Sequence, residues 1–171
     1  AQDTLIVGID TIRFDIIAEP VDTLTCAEPT VDLTVAVGDA GIPFEAIWRN
    51  LQGDSLASGP IILLDQPGVY TVEVLNPING CINRDTSLLV ADTIRPIAVV
   101  QPILELTCVR DSVLLDASAS SGVHGLLFTW AGPGFTSSGD SLFVAQAGAD
   151  QLRVVDAKNG CRDTLDITVE E

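Results

Sequence analysis

Residues 3–26, DTLIVGIDTIRFDIIAEPVDTLTC, align without a gap on residues 85–108, DTSLLVADTIRPIAVVQPILELTC, and a third copy opens at Asp163 as DTLDITVEE. Ten of the 24 aligned positions are identical, so the chain is an array of one unit repeated about every 80 residues, the size of a small sandwich domain. The array is cut out of phase with itself. Residues 1–10 read as the closing strand of a preceding repeat, or as a strand donated to a neighbouring molecule through Thr4, Leu5, Ile6, Val7 and Ile9. Residues 11–91 and 92–171 read as two complete units.

Working outward, each unit holds two cysteines. Cys26 is followed by Cys81 and Cys108 by Cys161, and each second cysteine closes the tripeptide Asn-Gly-Cys. Four cysteines permit three connectivities, and the repeat selects Cys26 with Cys81 and Cys108 with Cys161. Metal is disfavoured, because no Cys-x-x-Cys occurs and His124 is the only histidine. A bridge closing such a loop contributes roughly 4 kcal/mol in the chain-entropy view. Disulfides of this kind place the chain outside the cytoplasm: secreted, extracellular or on the cell surface.

Between the cysteines, both units show short runs with period-two alternation bounded by Gly, Pro, Asn or Asp. Val31, Leu33 and Val35, then 44–48, 61–64, and Tyr70, Val72 and Val74 predict four strands. The second unit repeats them at 113–115, 126–130, 142–145 and 152–155. A further strand precedes each first cysteine and another follows each second one. Trp48 and Trp130 each lie 22 residues after the first cysteine of their unit, and together with Tyr70 they are expected in the cores. The fold class that follows is all-β, with two tandem sandwiches.

Composition narrows function. The formal net charge is −16 with one Lys and seven Arg, which leaves no basic patch for nucleic acid. Apolar runs such as 61–64 fall far short of the roughly 20 residues of a membrane span. The Ala-Gln-Asp start has neither the charged nor the apolar region of a signal peptide. Gly-Asp-Ser-Leu at 53–56 and 139–142 resembles a hydrolase nucleophile block, but only His124 could act as base and no orienting Asp stands three residues before it. The expectation is therefore no catalytic residues, no enzyme and no required cofactor. Acidic junctions near Asp10 and Asp92 leave Ca²⁺ as a candidate ligand, without an Asp-x-Asp-x-Asp-Gly loop to hold it.

The run of Leu-Thr-Cys, then Asp-Ala-Ser-Ala-Ser-Ser-Gly at 116–122, then Trp, then Gln-Pro-Gly-Val-Tyr-Thr-Val at 66–72, then Asn-Gly-Cys resembles the immunoglobulin-like and PKD-like repeats of large secreted surface proteins of Bacteroidota. The resemblance covers nearly the whole chain, including Asp-Thr-Ile-Arg-Pro at 92–96. It implies β-sandwiches serving as stalk, spacer or adhesin. Two departures stand out: Asp150 takes the place of Tyr70, and Phe14 that of Pro96.

A second resemblance concerns the surface. Nine of the 17 aspartates are followed by Ser or Thr, where about two or three are expected by chance, and in eight the next residue is aliphatic. The pattern is similar to the Asp-Ser/Thr-aliphatic acceptor of the general O-glycosylation system of Bacteroidota. It implies glycan at Thr4, Thr11, Thr23, Ser55, Thr93, Ser112, Ser141 and Thr164. The competing reading is structural, with Asp closing an Asx-turn and Thr opening a strand.

Three functions are consistent with these features. The first is a structural segment of an extracellular fibre, filament or stalk whose partners are copies of itself or adjacent repeats. The second is an adhesin or module binding surface glycans, for which few aromatics remain once both Trp are assigned to cores. The third is an accessory domain of a secreted enzyme.

Overall fold

The computed structural model describes residues 15–18, 23–38, 43–101 and 104–171. Among them every regular element is a strand. The chain divides into unit 1, which holds Glu28–Ala91 and the residues up to Leu24, and unit 2, which holds Asp92–Glu171 together with Thr25–Ala27. The expected donor strand lies outside the described residues, as do Thr4, Thr11, Asp10 and Phe14.

Unit 1 is a sandwich of two antiparallel sheets. Strands β1 (Ile16–Ala18), β2 (Leu24–Thr25), β3 (Val31–Val37), β4 (Glu45–Arg49), β5 (Ser55–Ser58), β6 (Ile61–Leu64), β7 (Gly68–Leu75) and β8 (Ile82–Leu89) follow in chain order. One sheet runs β1-β3-β6 and the other β5-β4-β7-β8. Alternation makes the core. Val31, Leu33 and Val35 of β3 face Tyr70, Val72 and Val74 of β7, with Trp48 and Leu89 between them. Trp48 is fully buried, and its indole N–H donates to the Gly59 carbonyl at 2.9 Å, which satisfies the one polar atom it carries inward.

After β9 (Ala91–Asp92), which pairs with β2, unit 2 repeats the plan. It contains β10 (Val113–Asp116), β11 (Leu126–Gly132), β12 (Phe135–Ser138), β13 (Ser141–Val144), β14 (Gly148–Asp156) and β15 (Arg162–Val169). β10 pairs with β13, and the second sheet runs β12-β11-β14-β15. Trp130 is fully buried in register with Leu152, as Trp48 is with Val72, and donates to the Gly139 carbonyl at 2.8 Å. The chain is thus two tandem immunoglobulin-like β-sandwich units. Among the described residues of unit 2, the segment matching β1 is tied by the bridge of Ile97 to Ser121 and by the Gln101 N–H donating to the Asp116 carbonyl at 2.8 Å. Both segments are anchored alike: the Ala18 N–H donates to Asp85 and the Ala98 N–H to Asp163, each at 2.9 Å.

Candidate functional site: the Asn-Gly-Cys turns and the disulfide

The turn joining β7 to β8 and the turn joining β14 to β15 are built from the same bonds. The Asn76 N–H donates to the Cys81 carbonyl and the Asp156 N–H to that of Cys161, both at 2.8 Å. Gly80 returns its N–H to the Asn76 carbonyl at 2.8 Å and Gly160 to that of Asp156 at 3.0 Å. Each glycine sits at positive φ, 73° and 68°, where a side chain is strained. The cysteine N–H is held by the preceding asparagine side chain at 2.9 Å in both turns. Inside each turn, Asn76 or Asp156 presents a side-chain oxygen to the N–H two residues on, at 2.9 and 3.0 Å.

The other two cysteines are also placed by equivalent bonds. Leu24 and Leu106 are buried in their respective cores, and each donates its N–H to the carbonyl just past the last strand of its unit, Val90 at 3.0 Å and Glu170 at 2.9 Å. Cys26 and Cys108 follow two residues later.

This geometry corrects the pairing expected from the repeat. Cys81 stands at the start of β8, whereas Cys26 follows a residue bonded at that strand's far end. The eight residues between span about 27 Å, far beyond the roughly 7 Å that Cα atoms of a disulfide tolerate. Cys108 and Cys161 are separated in the same way along β15. The bond present joins Cys26 to Cys161, and Cys81 and Cys108 are free thiols. Thr25–Ala27 belongs with unit 2, where the Ala27 N–H donates to the Asn159 carbonyl at 3.2 Å. A Cβ on Gly160 would meet that of Ala27 at 2.7 Å, so glycine is required there for closeness as well as for φ.

A charged network underlies the bonded turn. Asp156 is fully buried. Burial alone would raise its pKa, but the amides of Asn159 and Lys158 and the ring and amide of His124 donate to it and hold it down at about 2. The His124 Nδ1 lies 3.0 Å from Asp156 Oδ1, and its Nε2 lies 3.7 Å from Asp92 Oδ2. Asn159 donates to Asp92 at 2.8 Å and to the Ile94 carbonyl at 3.0 Å. Asp92, the junction residue considered for Ca²⁺, is thereby engaged with protein donors, and among the described residues no group of three or more His, Cys, Asp or Glu is placed to hold a metal. His124 is likewise occupied, while the Ser141 hydroxyl donates to its neighbour Asp140 at 3.3 Å.

Of the expected acceptor positions, Ser55, Thr93, Ser141 and Thr164 are exposed, and Thr23 and Ser112 are half-buried. Several aspartates of the motif have structural tasks. Asp163 accepts from the amides of Thr164 and Ala98, Asp54 accepts from Asn50, and Asp92 accepts from Asn159. The buried Asx five residues before each second cysteine was missed in the sequence; the signal that could have found it is the shared pattern of NPINGC and DAKNGC, with Asn or Asp placed to close a turn.

No protein-family model matches the chain and no curated protein matches it. Among solved structures, it is similar to the three N-terminal domains of the bacteriophage RB49 highly immunogenic outer capsid protein, at 13% identity and a TM-score of 0.47 over 92% of this chain and 59% of that one. It is also similar to extracellular domains 3–5 of Drosophila OTK, at 10% identity and a TM-score of 0.41 over 95% of this chain and 62% of that one. The I-band fragment I67–I69 of titin matches at 14% identity and a TM-score of 0.41 over 92% of this chain and 65% of that one. The chain therefore spans about three fifths of the length of the first structures it matches.

Proposed function

We propose that the chain is a non-catalytic segment of an extracellular fibre or surface stalk, in which immunoglobulin-like units are repeated along one polypeptide and O-glycan is carried at the exposed Asp-Ser/Thr-aliphatic positions. The observation that carries this reading is the repetition of structural detail rather than of any reactive cluster: the same buried Trp bonded to a glycine carbonyl, the same leucine plug and the same Asn-Gly-Cys turn occur twice. Repeats of this kind supply length and stiffness, since each unit adds the same increment. The disulfide supports an oxidising compartment, and a net charge of −16 keeps so apolar a chain dispersed. Strand donation by Thr4–Ile9 remains part of the proposal as a means of assembly.

Intact-mass measurement of native material, combined with protease shaving of the source cells, tests the reading. Release from the surface with mass above the polypeptide, mapped to Ser55, Thr93, Ser141 or Thr164, is the expected result. Retention inside the cell would overturn the stalk, and an unmodified mass would overturn the glycan.

A further inference from the structure

Each repeat of the sequence places one cysteine two residues after a buried leucine and one in an Asn-Gly-Cys turn, and only one of each kind is bonded. Cys26, in the segment Thr25–Ala27 that belongs with unit 2, is bonded to Cys161 in the Asn-Gly-Cys turn of that unit. The cysteine after the leucine plug of unit 2, Cys108, and the turn cysteine of unit 1, Cys81, are free. We propose that Cys108 and Cys81 are the two halves of further bridges of the Cys26–Cys161 kind, each made to another copy of the repeat, so that every Asn-Gly-Cys turn is bonded to the cysteine that follows a buried leucine in the preceding stretch of repeat. This rests on the reading of the chain as an array and adds how the array is locked.

Three observations carry it. The turn around Cys81 shares with the turn around Cys161 its closing main-chain bonds, the positive-φ glycine and the asparagine that fixes the cysteine amide, so Cys81 is held in the backbone pose of the bonded cysteine. Cys108, like Cys26, lies two residues beyond a buried leucine with the equivalent main-chain bond, and it stands in the exposed turn that Thr107 and Arg110 close on each other at 2.9 and 3.0 Å. The residue after Cys26 is Ala27, which packs against Gly160; its counterpart after Cys108, Val109, is 98% exposed, an apolar side chain standing in solvent beside an exposed thiol. Nothing described comes within 4 Å of the position a Cβ would take on Gly80, where Ala27 lies against Gly160. A second copy presenting Cys108 and Val109 to Cys81 and Gly80 repeats, between copies, the arrangement already present.

The chemistry balances by thiol–disulfide exchange. The Cys108 thiolate attacks a disulfide oxidant, forming a mixed disulfide and releasing one thiol. The Cys81 thiolate of another copy then attacks the Cys108 sulfur, releasing the second thiol. Two protein thiols are oxidised and one oxidant disulfide is reduced to two thiols, which take up the two protons the cysteines give up, so no net proton is released. In vitro the oxidant is oxidised glutathione.

The test mixes two variants of the full chain, Cys81→Ser and Cys108→Ser, one of them isotopically labelled, in a glutathione redox buffer. The four cysteines fall on different tryptic peptides, so every bond can be read by mass without reduction. The expected result is a Cys108–Cys81 dimer exceeding either homodimer by about tenfold or more, against about twofold for random pairing, with Cys26–Cys161 intact in both. Wild-type chain should form a ladder beyond dimers that either single variant ends at the dimer. Random pairing, or no crosslink at concentrations approaching the millimolar range, would overturn the proposal while leaving the stalk reading in place. Bonds of Cys26 to Cys81 and Cys108 to Cys161 would instead remove the framework on which it stands.

Discussion

β7 and β14 occupy the same place in the two units, and their inward residues differ at both ends. In β7 these are Tyr70, Val72, Val74 and then Asn76; in β14 they are Asp150, Leu152, Val154 and Asp156. The Tyr70 hydroxyl donates to the Gln66 carbonyl at 2.7 Å, so its ring is buried with its polar atom satisfied. Asp150 is 3% exposed, and neither carboxylate oxygen has a hydrogen-bond partner. Its environment explains why a ring is not there. A Cβ on Gly132 would lie 2.0 Å from Asp150 Oδ1 and 2.4 Å from the Phe135 ring, so Phe135 already fills the space above that glycine. At the other end the roles reverse, and the buried acid Asp156 is richly bonded where unit 1 uses a neutral asparagine. The middle of the strand therefore keeps the register of the core, while its ends carry what distinguishes one repeat from the next.

The strongest way to break the comparison is to remove the element the units share. Trp48→Ala and Trp130→Ala should each cost their own unit about 3–5 kcal/mol, since a fully buried ring and its hydrogen bond are lost together. That is a large part of a small domain's stability. Each variant retains a single tryptophan, so urea unfolding by fluorescence reads the other unit, and its midpoint should stay near the wild-type value while circular dichroism shows the loss. Equal damage to both transitions would mean that the units are not separate cores.

The cysteines come next. Cys161→Ser removes the bond that closes 135 residues and should cost about 2–5 kcal/mol under oxidising conditions. Cys81→Ser in the equivalent turn removes no bond from the isolated chain and should change the melting point little. Thermal melts with and without reductant check both, and the reductant should erase the difference between Cys161→Ser and wild type.

The two acids of β14 make a pH comparison. Burial raises the Asp150 pKa, so below the ordinary carboxylate range its penalty is absent; as pH rises, the unfolded chain ionises first and unit 2 loses stability until the folded group ionises too. Asp156 runs the other way. Its pKa is lowered from 3.8 to about 2, so its stabilisation is complete above the ordinary carboxylate range and is lost as pH falls toward about 2. Unit 2 should consequently be most stable in mildly acidic solution. Asp150→Ala should stabilise it by about 1–3 kcal/mol at neutral pH, the cost of a buried unpaired polar group, and by less near pH 4. Asp156→Asn should flatten the acid side. Unit 1, with Tyr70 and Asn76 in these places, should show neither slope; Trp130 fluorescence in a Trp48→Phe background isolates the unit 2 response.

The central strands were legible because alternation survives wherever both faces matter: Val31, Leu33 and Val35, or Val72 and Val74, declare one face buried. β5 and β12, reading Ser-Leu-Ala-Ser and Phe-Thr-Ser-Ser, were not, because each is an edge strand with a single partner and a largely exposed surface. The repeat gave away the Asn-Gly-Cys turns but misdirected the pairing. Proximity in the repeat is counted along the chain, whereas a disulfide depends on which end of β8 or β15 a cysteine occupies, and only the main-chain bonds of Leu24 and Leu106 reveal that. Asp150 was visible as a departure from Tyr70, yet the ring of Phe135, fifteen residues earlier, is what makes the departure intelligible.

The smallest effect separates the two turn glycines. Gly80→Ala and Gly160→Ala both place a side chain at positive φ, which costs about 1 kcal/mol. In the second turn the new methyl also meets Ala27, whose Cβ lies 2.7 Å from its position and whose N and Cα lie at 3.3 and 3.4 Å, so backbone rather than a flexible side chain must give way. Because Ala27 follows Cys26 directly, that displacement pulls on the disulfide. Gly160→Ala should therefore exceed Gly80→Ala in cost and, unlike it, slow the oxidative formation of the Cys26–Cys161 bond from the reduced chain. If Gly80→Ala nonetheless lowers the yield of the Cys108–Cys81 crosslink between copies, the open space at Gly80 is the seat that Ala27 occupies at Gly160.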